Sequence, residues 1–335
     1  MPRPRRRMAA PSVLVAVALV LGACSGDGDS GGGGAQAMVA APLTGVQVAR
    51  GVAERPAVSV KVDNTDQGRA VQAGLDQADV IFEGRVEGGL TRVVAVFHSE
   101  DADLIGPIRS LRTSDPAVVS PFGGVFAFSD GADIALRSLR GAPVKAVYEA
   151  QGQGPFVFPP GRRRPFATFA ASTRLREEAG QRDDPPPAFI PFLAPGETFH
   201  PEGAPAMRAS VSFGPRTTAL LTWDPAGSRW LRSTNGRPQT VGGAQLAFTT
   251  VIIQKVAYRP AGYSDSAGNP VDEAVVVGSG EAIVLSQGRQ LAARWSKPSS
   301  GSMTTYTDPA GQPIRLPPGR TLVLLPPVGG GVTVS

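Results

Sequence analysis

The chain has 335 residues, with 33 Lys or Arg against 28 Asp or Glu, for a formal net charge of +5. Four of those positive charges are Arg3, Arg5, Arg6 and Arg7, and residues 1–23 hold no acid, so the rest of the chain carries about +1 and no basic stripe. That near-neutrality argues against nucleic acid as a partner, and a single cysteine leaves no intramolecular disulfide, so the fold must rest on its core.

The arginines precede an uncharged, apolar segment at 8–23, the layout of a secretory leader. The run is shorter than the ~20 residues a membrane-crossing helix needs, and it ends in small residues, so cleavage is expected rather than a retained span. Leu21-Gly22-Ala23-Cys24 resembles the lipobox of bacterial lipoproteins, whose cysteine takes a diacylglyceryl group through sulfur and an acyl chain such as palmitate. A buried structural thiol is the competing fate, but Cys24 lies between an apolar leader and the spacer SGDGDSGGGGAQA. That spacer has too few apolar side chains to fold; at ~5–6 Å × √n it lets the body range roughly 20 Å from a lipid surface. The expected location is extracytoplasmic, held to the cell membrane by lipid.

The remainder is long enough for two domains. Residues 57–64 alternate like a half-buried strand, and 79–86 and 91–99 read as two more strands joined by the positive-φ pair Gly88-Gly89. Ser114-Asp115-Pro116 supplies an N-cap and an early proline, so a helix is predicted to begin there, with others at 133–140 and 171–178. The stretch 176–205 is rich in proline and charge and marks a linker, because proline suits neither helix interior nor central strand. Beyond it the pattern is β: strands are predicted at 220–223, 230–233, 246–256, 273–277, 282–286, 290–295, 304–307 and 320–325. Asp224-Pro225-Ala226-Gly227 recurs as Asp308-Pro309-Ala310-Gly311, each fitting a type I turn with left-handed glycine. Trp223, Trp230 and Trp295 fall beside or within strands, where core packing is favoured over a sugar platform.

The predicted organisation is therefore a leader at 1–23, a tether at 24–52, an N-terminal mixed α/β domain at 53–180, a linker at 181–207, and a smaller, mainly antiparallel β domain at 208–330. The fold class is α+β.

Several motifs resemble the YerB-like bacterial lipoproteins, a family carried as a domain of unknown function. They are Asp63-Asn64, Gly74-Leu75, Ala78-Asp79, Glu87-Gly88-Gly89, Thr91-Arg92 and Gly106-Pro107-Ile108-Arg109-Ser110 with Arg112. The distal part is similar to the family's smaller C-terminal domain in its W-x-K, D-x-x-G and P-G-x-T spacing. The resemblance implies a lipid-anchored envelope protein in two parts and no particular reaction. Where the family carries proline-histidine-asparagine after a basic run, this chain reads Arg164-Pro165-Phe166-Ala167.

Arg109 and Arg112, close to the predicted helix start, have two readings. With Arg92 assisting and Glu87 and Asp63 orienting them, they form a cradle for an anionic envelope ligand, such as a peptidoglycan fragment or wall polymer, or for an envelope protein. Alternatively they pair with Asp63, Glu83, Glu87 or Asp115 and brace the fold. A cell-wall glycan hydrolase using Glu83 or Glu87 as acid or base is the rival class, although on a straight strand their Cα atoms would stand ~13 Å apart. His98 and His200 are the only histidines and do not suggest a metal site, and no nucleophile elbow, Walker loop or dinucleotide fingerprint occurs. No cofactor is expected, and a binding or scaffold role is preferred to catalysis. The Arg162-Arg163-Arg164 run reads as a solvated loop, or as an electrostatic contact with anionic lipid or wall polymer.

Overall fold

Valine, isoleucine and phenylalanine dominate three strands at the centre of the molecule: β1 (Val58–Asp63), β2 (Val80–Arg85) and β3 (Thr91–Phe97). The structure is a computed structural model and describes residues 37–149 and 154–335, so the leader, Cys24 and most of the tether lie outside the described residues. β2 and β3 are antiparallel from Val80↔Val96 to Arg85↔Thr91, and the turn between them holds Gly88 and Gly89 at φ 67° and 71°, as the sequence predicts. β1 joins β3 antiparallel, with Asp63 opposite Arg92. β4 (Val125–Phe128) and β5 (Lys145–Tyr148) extend the sheet in parallel beyond β1. Short helices decorate this half, among them α1 (Asp66–Arg69), α2 (Asp115–Val119), α3 (Asp133–Ser138) and α4 (Ser172–Glu177).

The second half supplies β6 (Arg208–Gly214), β7 (Thr217–Asp224), β8 (Arg229–Thr234), β9 (Thr250–Gln254), β10 (Ala257–Ser264), β11 (Pro270–Val275), β12 (Gly278–Ser286), β13 (Arg289–Lys297), β14 (Thr321–Leu325) and β15 (Val332–Val334). β8, β7, β6 and β15 form an antiparallel sheet, and β10 and β11 a separate hairpin. β13, β12, β9 and β14 instead continue the central sheet, where β14 runs parallel to β2 from Thr321↔Val80 to Leu325↔Gly84. The class is α+β, with a mixed first half and a mostly antiparallel second half. The two halves share one sheet within a compact unit, Gln36–Ser335.

Strand alternation splits the core between the two faces of that sheet. Val58, Val60, Val62, Ala95 and Phe97 point toward the second sheet and pack with Val211, Phe213, Trp230 and Phe248. Val80, Phe82, Val94 and Val96 point the other way, toward Phe122, Phe126, Phe189 and Phe199.

Several elements depart from expectation. All six residues of β1 are buried, because Lys61 and Asp63 find ionic partners instead of water. Ser114 makes no side-chain cap to α2; Asp115 Oδ2 accepts from the Arg112 N–H at 2.7 Å instead. The predicted strand at 246–256 breaks into Ala247–Phe248 and Thr250–Gln254, and β6, β10 and β15 were not expected at all. In the turn after β7 the left-handed residue is Ser228, φ 49°, not Gly227, whose hydrogen stands where a Cβ would meet Asp224 Oδ2 at 2.5 Å. Gly311 is left-handed as predicted, φ 80°. The proline-rich connection docks on the body: Phe189, Ile190 and Phe199 are buried, and Phe189 packs against Phe82 and Phe122. Trp230 and Trp295 are core residues, and Trp223 packs against the core half-buried.

Candidate functional site: an arginine-walled cleft

A cleft of about 540 Å³ opens where the two halves of the chain meet. The first half contributes the turn after β2, Arg92 on β3, the 109–112 segment and the 130–132 loop; the second contributes Arg216 and the tip of the β10–β11 hairpin. Four of the five predicted ligand-site residues, Glu87, Arg92, Arg109 and Arg112, line it, while Asp63 lies behind Arg109.

Each predicted arginine is held by a carboxylate. Arg109 Nη1 reaches Asp63 Oδ2 at 2.6 Å, and Asp63 Oδ1 also accepts from the Thr65 N–H at 2.7 Å. Glu87 is shared: its Oε2 accepts from Arg112 Nε at 3.0 Å, and its Oε1 meets Arg92 Nη2 at 3.1 Å and Arg112 Nη2. The remaining Nη1 groups donate to Ser110 O and Leu111 O, at 3.1 and 3.0 Å. Burial pushes the Glu87 carboxyl up, but the Arg112 hydrogen bond and the charges of Arg92 and Arg112 outweigh it and leave it below its ordinary value. Burial, reinforced by Arg112 and opposed by Glu87, lowers Arg92 to about 10. Two guanidinium groups therefore share one carboxylate at the cleft wall, while Asp130 and Asp265 also line the cleft and Asp265 feels the Arg112 charge.

Behind this layer, Lys61 Nζ donates to Asp115 Oδ1 at 2.6 Å, and both side chains are buried. Burial lowers the Lys61 amine against the opposing pull of Asp115. Asp115 therefore already occupies the start of α2: its carboxylate accepts from the Arg112 N–H, and its own N–H donates to Arg112 O at 3.0 Å.

Glu83 and Glu87 do not form a pair. Glu83 is fully buried; its Oε1 accepts from Asn64 Nδ2 at 2.9 Å and Thr91 Oγ1 at 2.8 Å, and its Oε2 lies 2.7 Å from Arg232 Nη2. Arg232 Nε donates to Gln239 Oε1 at 2.8 Å, and Gln239 Nε2 returns to Asn64 Oδ1 at 3.0 Å. Burial lowers the Arg232 guanidinium, while Glu83 raises it. This polar network ties the halves together beside, rather than inside, the cleft, as Glu83 is absent from the lining.

Sequence reasoning missed the second-half contributors. Arg216 is exposed, and its Nη1 lies 3.7 Å from where a Cβ on Gly88 would stand; among the described residues it has no ion pair. Among the described residues the buried Tyr263 hydroxyl makes no hydrogen bond, and burial raises it against an opposing pull from neighbouring Thr113. Asp265 organises the hairpin tip by accepting from the Ala267 and Asn269 N–H groups at 2.9 and 2.8 Å. A turn between two strands and a hairpin some fifty residues further on carry no local mark of convergence on residues 87–112. The Phe166 ring lies 5.6 Å from the Arg109 guanidinium.

His98 sits in the core with Nε2 3.0 Å from Arg55 O, and burial lowers it to about 4. His200 meets Glu202. Among the described residues no group of three His, Cys, Asp or Glu side chains is placed to hold a metal ion, and no helix is long and apolar enough to cross a membrane.

Comparison with known proteins agrees with the architecture. The crystal structure of YerB protein from Bacillus subtilis matches with a TM-score of 0.75 at 20% identity, covering 88% of this chain and 99% of that one. In sequence, YerB of Bacillus subtilis (strain 168), a candidate lipoprotein by name, is 38% identical over 101 residues, 29% of this chain. That alignment spans only 30% of the relative's length. The family described as "Protein of unknown function (DUF3048)" matches through its N-terminal domain over 43–184 and its C-terminal domain over 209–323. With both family domains present, over most of its length, the chain belongs to the DUF3048 family.

Proposed function

We propose that this chain is an exported, lipid-anchored envelope protein that binds an anionic envelope component in the arginine-walled cleft. The leader pattern, the Cys24 lipobox and the kinship with a candidate lipoprotein support the location. The observation carrying the binding role is the convergence of four arginines, Arg92, Arg109, Arg112 and Arg216, on one cleft: Arg92 and Arg112 share Glu87, and Arg216 has no ion pair among the described residues. Arg109, Arg112 and Arg92 hold the wall's shape and field, with Asp63 and Glu87 fixing their orientation; Arg216 is the flexible cation that closes on the ligand.

The ligand class is a carboxylate- or phosphate-bearing wall fragment, or an acidic segment of an envelope protein. Glycan hydrolysis has less support. Glu83 is sealed behind Asn64, Thr91 and Arg232, and Glu87, held below its usual value by two arginines, is poorly suited to donate a proton at neutral pH. Incubating the Gln36–Ser335 unit with purified cell-wall sacculi tests both readings. A binder co-sediments in a salt-sensitive way and releases no fragments; soluble glycan release would establish the hydrolase, and neither result would remove the wall as ligand.

A further inference from the structure

Outside the cleft's ion pairs, the chain makes a second surface between Phe156–Val157 and Phe169–Ala170, two short antiparallel strands that pin the ends of a loop. Val157 and Phe158 are 47% and 52% exposed, the one adjacent pair of exposed large apolar side chains among the described residues. After three intervening residues come Arg162, Arg163 and Arg164. Arg162 is tied down, donating to Val71 O at 3.3 Å and lying over the Phe169 ring at 4.8 Å. Arg164 pairs with Glu149 and keeps its guanidinium 5.6 Å from the Phe158 ring. Arg163 is exposed and has no ion pair among the described residues.

We infer that this loop docks on an anionic phospholipid surface, with Val157 and Phe158 entering the headgroup region and Arg163 and Arg164 meeting lipid phosphates. An exposed apolar pair gains nothing from a soluble polyanion, whereas a bilayer interface takes up an aromatic side chain and its neighbouring cations together. Arg163 supplies unspent charge for such a surface, and the proline pair Pro159-Pro160 limits the loop's conformational freedom before it binds. The covalent geometry favours the contact. Cys24 precedes Ala37, where the described chain begins, by 13 residues, so a lipid on that cysteine keeps the body within roughly 20 Å of the bilayer. At that effective concentration a weak second contact is enough to orient the molecule. Because Phe166, at the end of the same loop, lies beside Arg109, docking places one rim of the cleft next to the membrane. The inference does not depend on what the cleft binds.

Vesicle co-sedimentation of the Gln36–Ser335 unit, which lacks the lipidated cysteine, provides the test. The unit should partition onto vesicles of equal phosphatidylglycerol and phosphatidylcholine at low salt and not onto pure phosphatidylcholine. Arg163→Glu should weaken partitioning at least about fivefold, the typical effect of one arginine at a charged surface. Phe158→Ser should also weaken it with the charge unchanged, and both variants should melt as the wild type does. Arg216→Glu, on the opposite contributor to the cleft, should leave partitioning unchanged, which separates this surface from the cleft. Failure to bind the anionic vesicles, or binding indifferent to both loop variants, overturns the proposal. So does a Phe158→Ser variant that binds normally while Arg163→Glu loses both vesicles and soluble poly(glycerol phosphate), since the loop would then read a polyanion rather than a bilayer.

Discussion

Replacing Glu87 with glutamine tests how the cleft wall is held. The side chains of Glu87, Arg92 and Arg112 are 8%, 7% and 7% exposed, so the substitution leaves two guanidinium groups facing each other with little water to screen them. Breaking a buried ion pair by removing one partner costs about 3–5 kcal/mol. Glutamine keeps one carbonyl acceptor, and Ser110 O and Leu111 O still take one proton from each arginine, so the lower end, about 3 kcal/mol, is expected. Equilibrium urea denaturation of the Gln36–Ser335 unit at pH 7 measures it. Because the folded Glu87 carboxyl lies below its ordinary value, its stabilisation is complete above the unfolded value of about 4.3 and is lost as pH falls through the folded value. The gap between wild type and Glu87→Gln should therefore narrow in acid. A loss under about 1 kcal/mol, typical of an exposed pair, or a gap unchanged on acidification, would refute the buried-brace reasoning.

Three further outcomes are expected. Gly68→Ala, which would normally favour a helix, should destabilise by about 1–3 kcal/mol in the same assay, because the new methyl would meet Asp63 Oδ1 at 2.0 Å and displace the partner of Arg109. Arg232→Met should cost about 3–5 kcal/mol by stranding Glu83, and adding Glu83→Gln should recover much of the loss, a coupling that a double-mutant cycle reads directly. His98, lowered to about 4 by burial, binds fewer protons folded than unfolded, so its contribution raises stability as pH climbs from about 4 to 6.5. Asp79, raised by burial to about 6, acts oppositely between about 3.8 and 6, each contribution being about 3 kcal/mol. Asp79→Asn should therefore steepen the rise in stability over pH 4–6, measured by denaturation at each pH.

The central strands were legible in the sequence because their chemistry is local: Val58–Asp63, Val80–Arg85 and Thr91–Phe97 lie within a residue or two of the predicted spans, and the glycine pair fixes their turn. Local pattern could not show that β14 would slot beside β2, because a parallel pairing of segments about 240 residues apart leaves no sign in either one. It also misread the polar side of β1: Lys61 alternates like a solvent-facing residue and is instead matched to Asp115, fifty-four positions away. The arginines were identified, and their braced state was one of the two readings weighed, with Glu87 and Asp63 as named partners. Arg232 was not foreseen as the partner of Glu83, nor Arg216 as a wall of the cleft, since both come from the β-rich half and reach the site only through tertiary packing.

Calorimetric titration of the Gln36–Ser335 unit with a short glycerol phosphate oligomer and with a muropeptide, each at low and high salt, tests the cleft most directly. Saturable binding of at least one probe is expected, weaker at high salt and about tenfold weaker in Arg216→Glu while the denaturation midpoint stays put. No heat from either probe at millimolar concentration, or equal affinity in wild type and Arg216→Glu, would contradict the account.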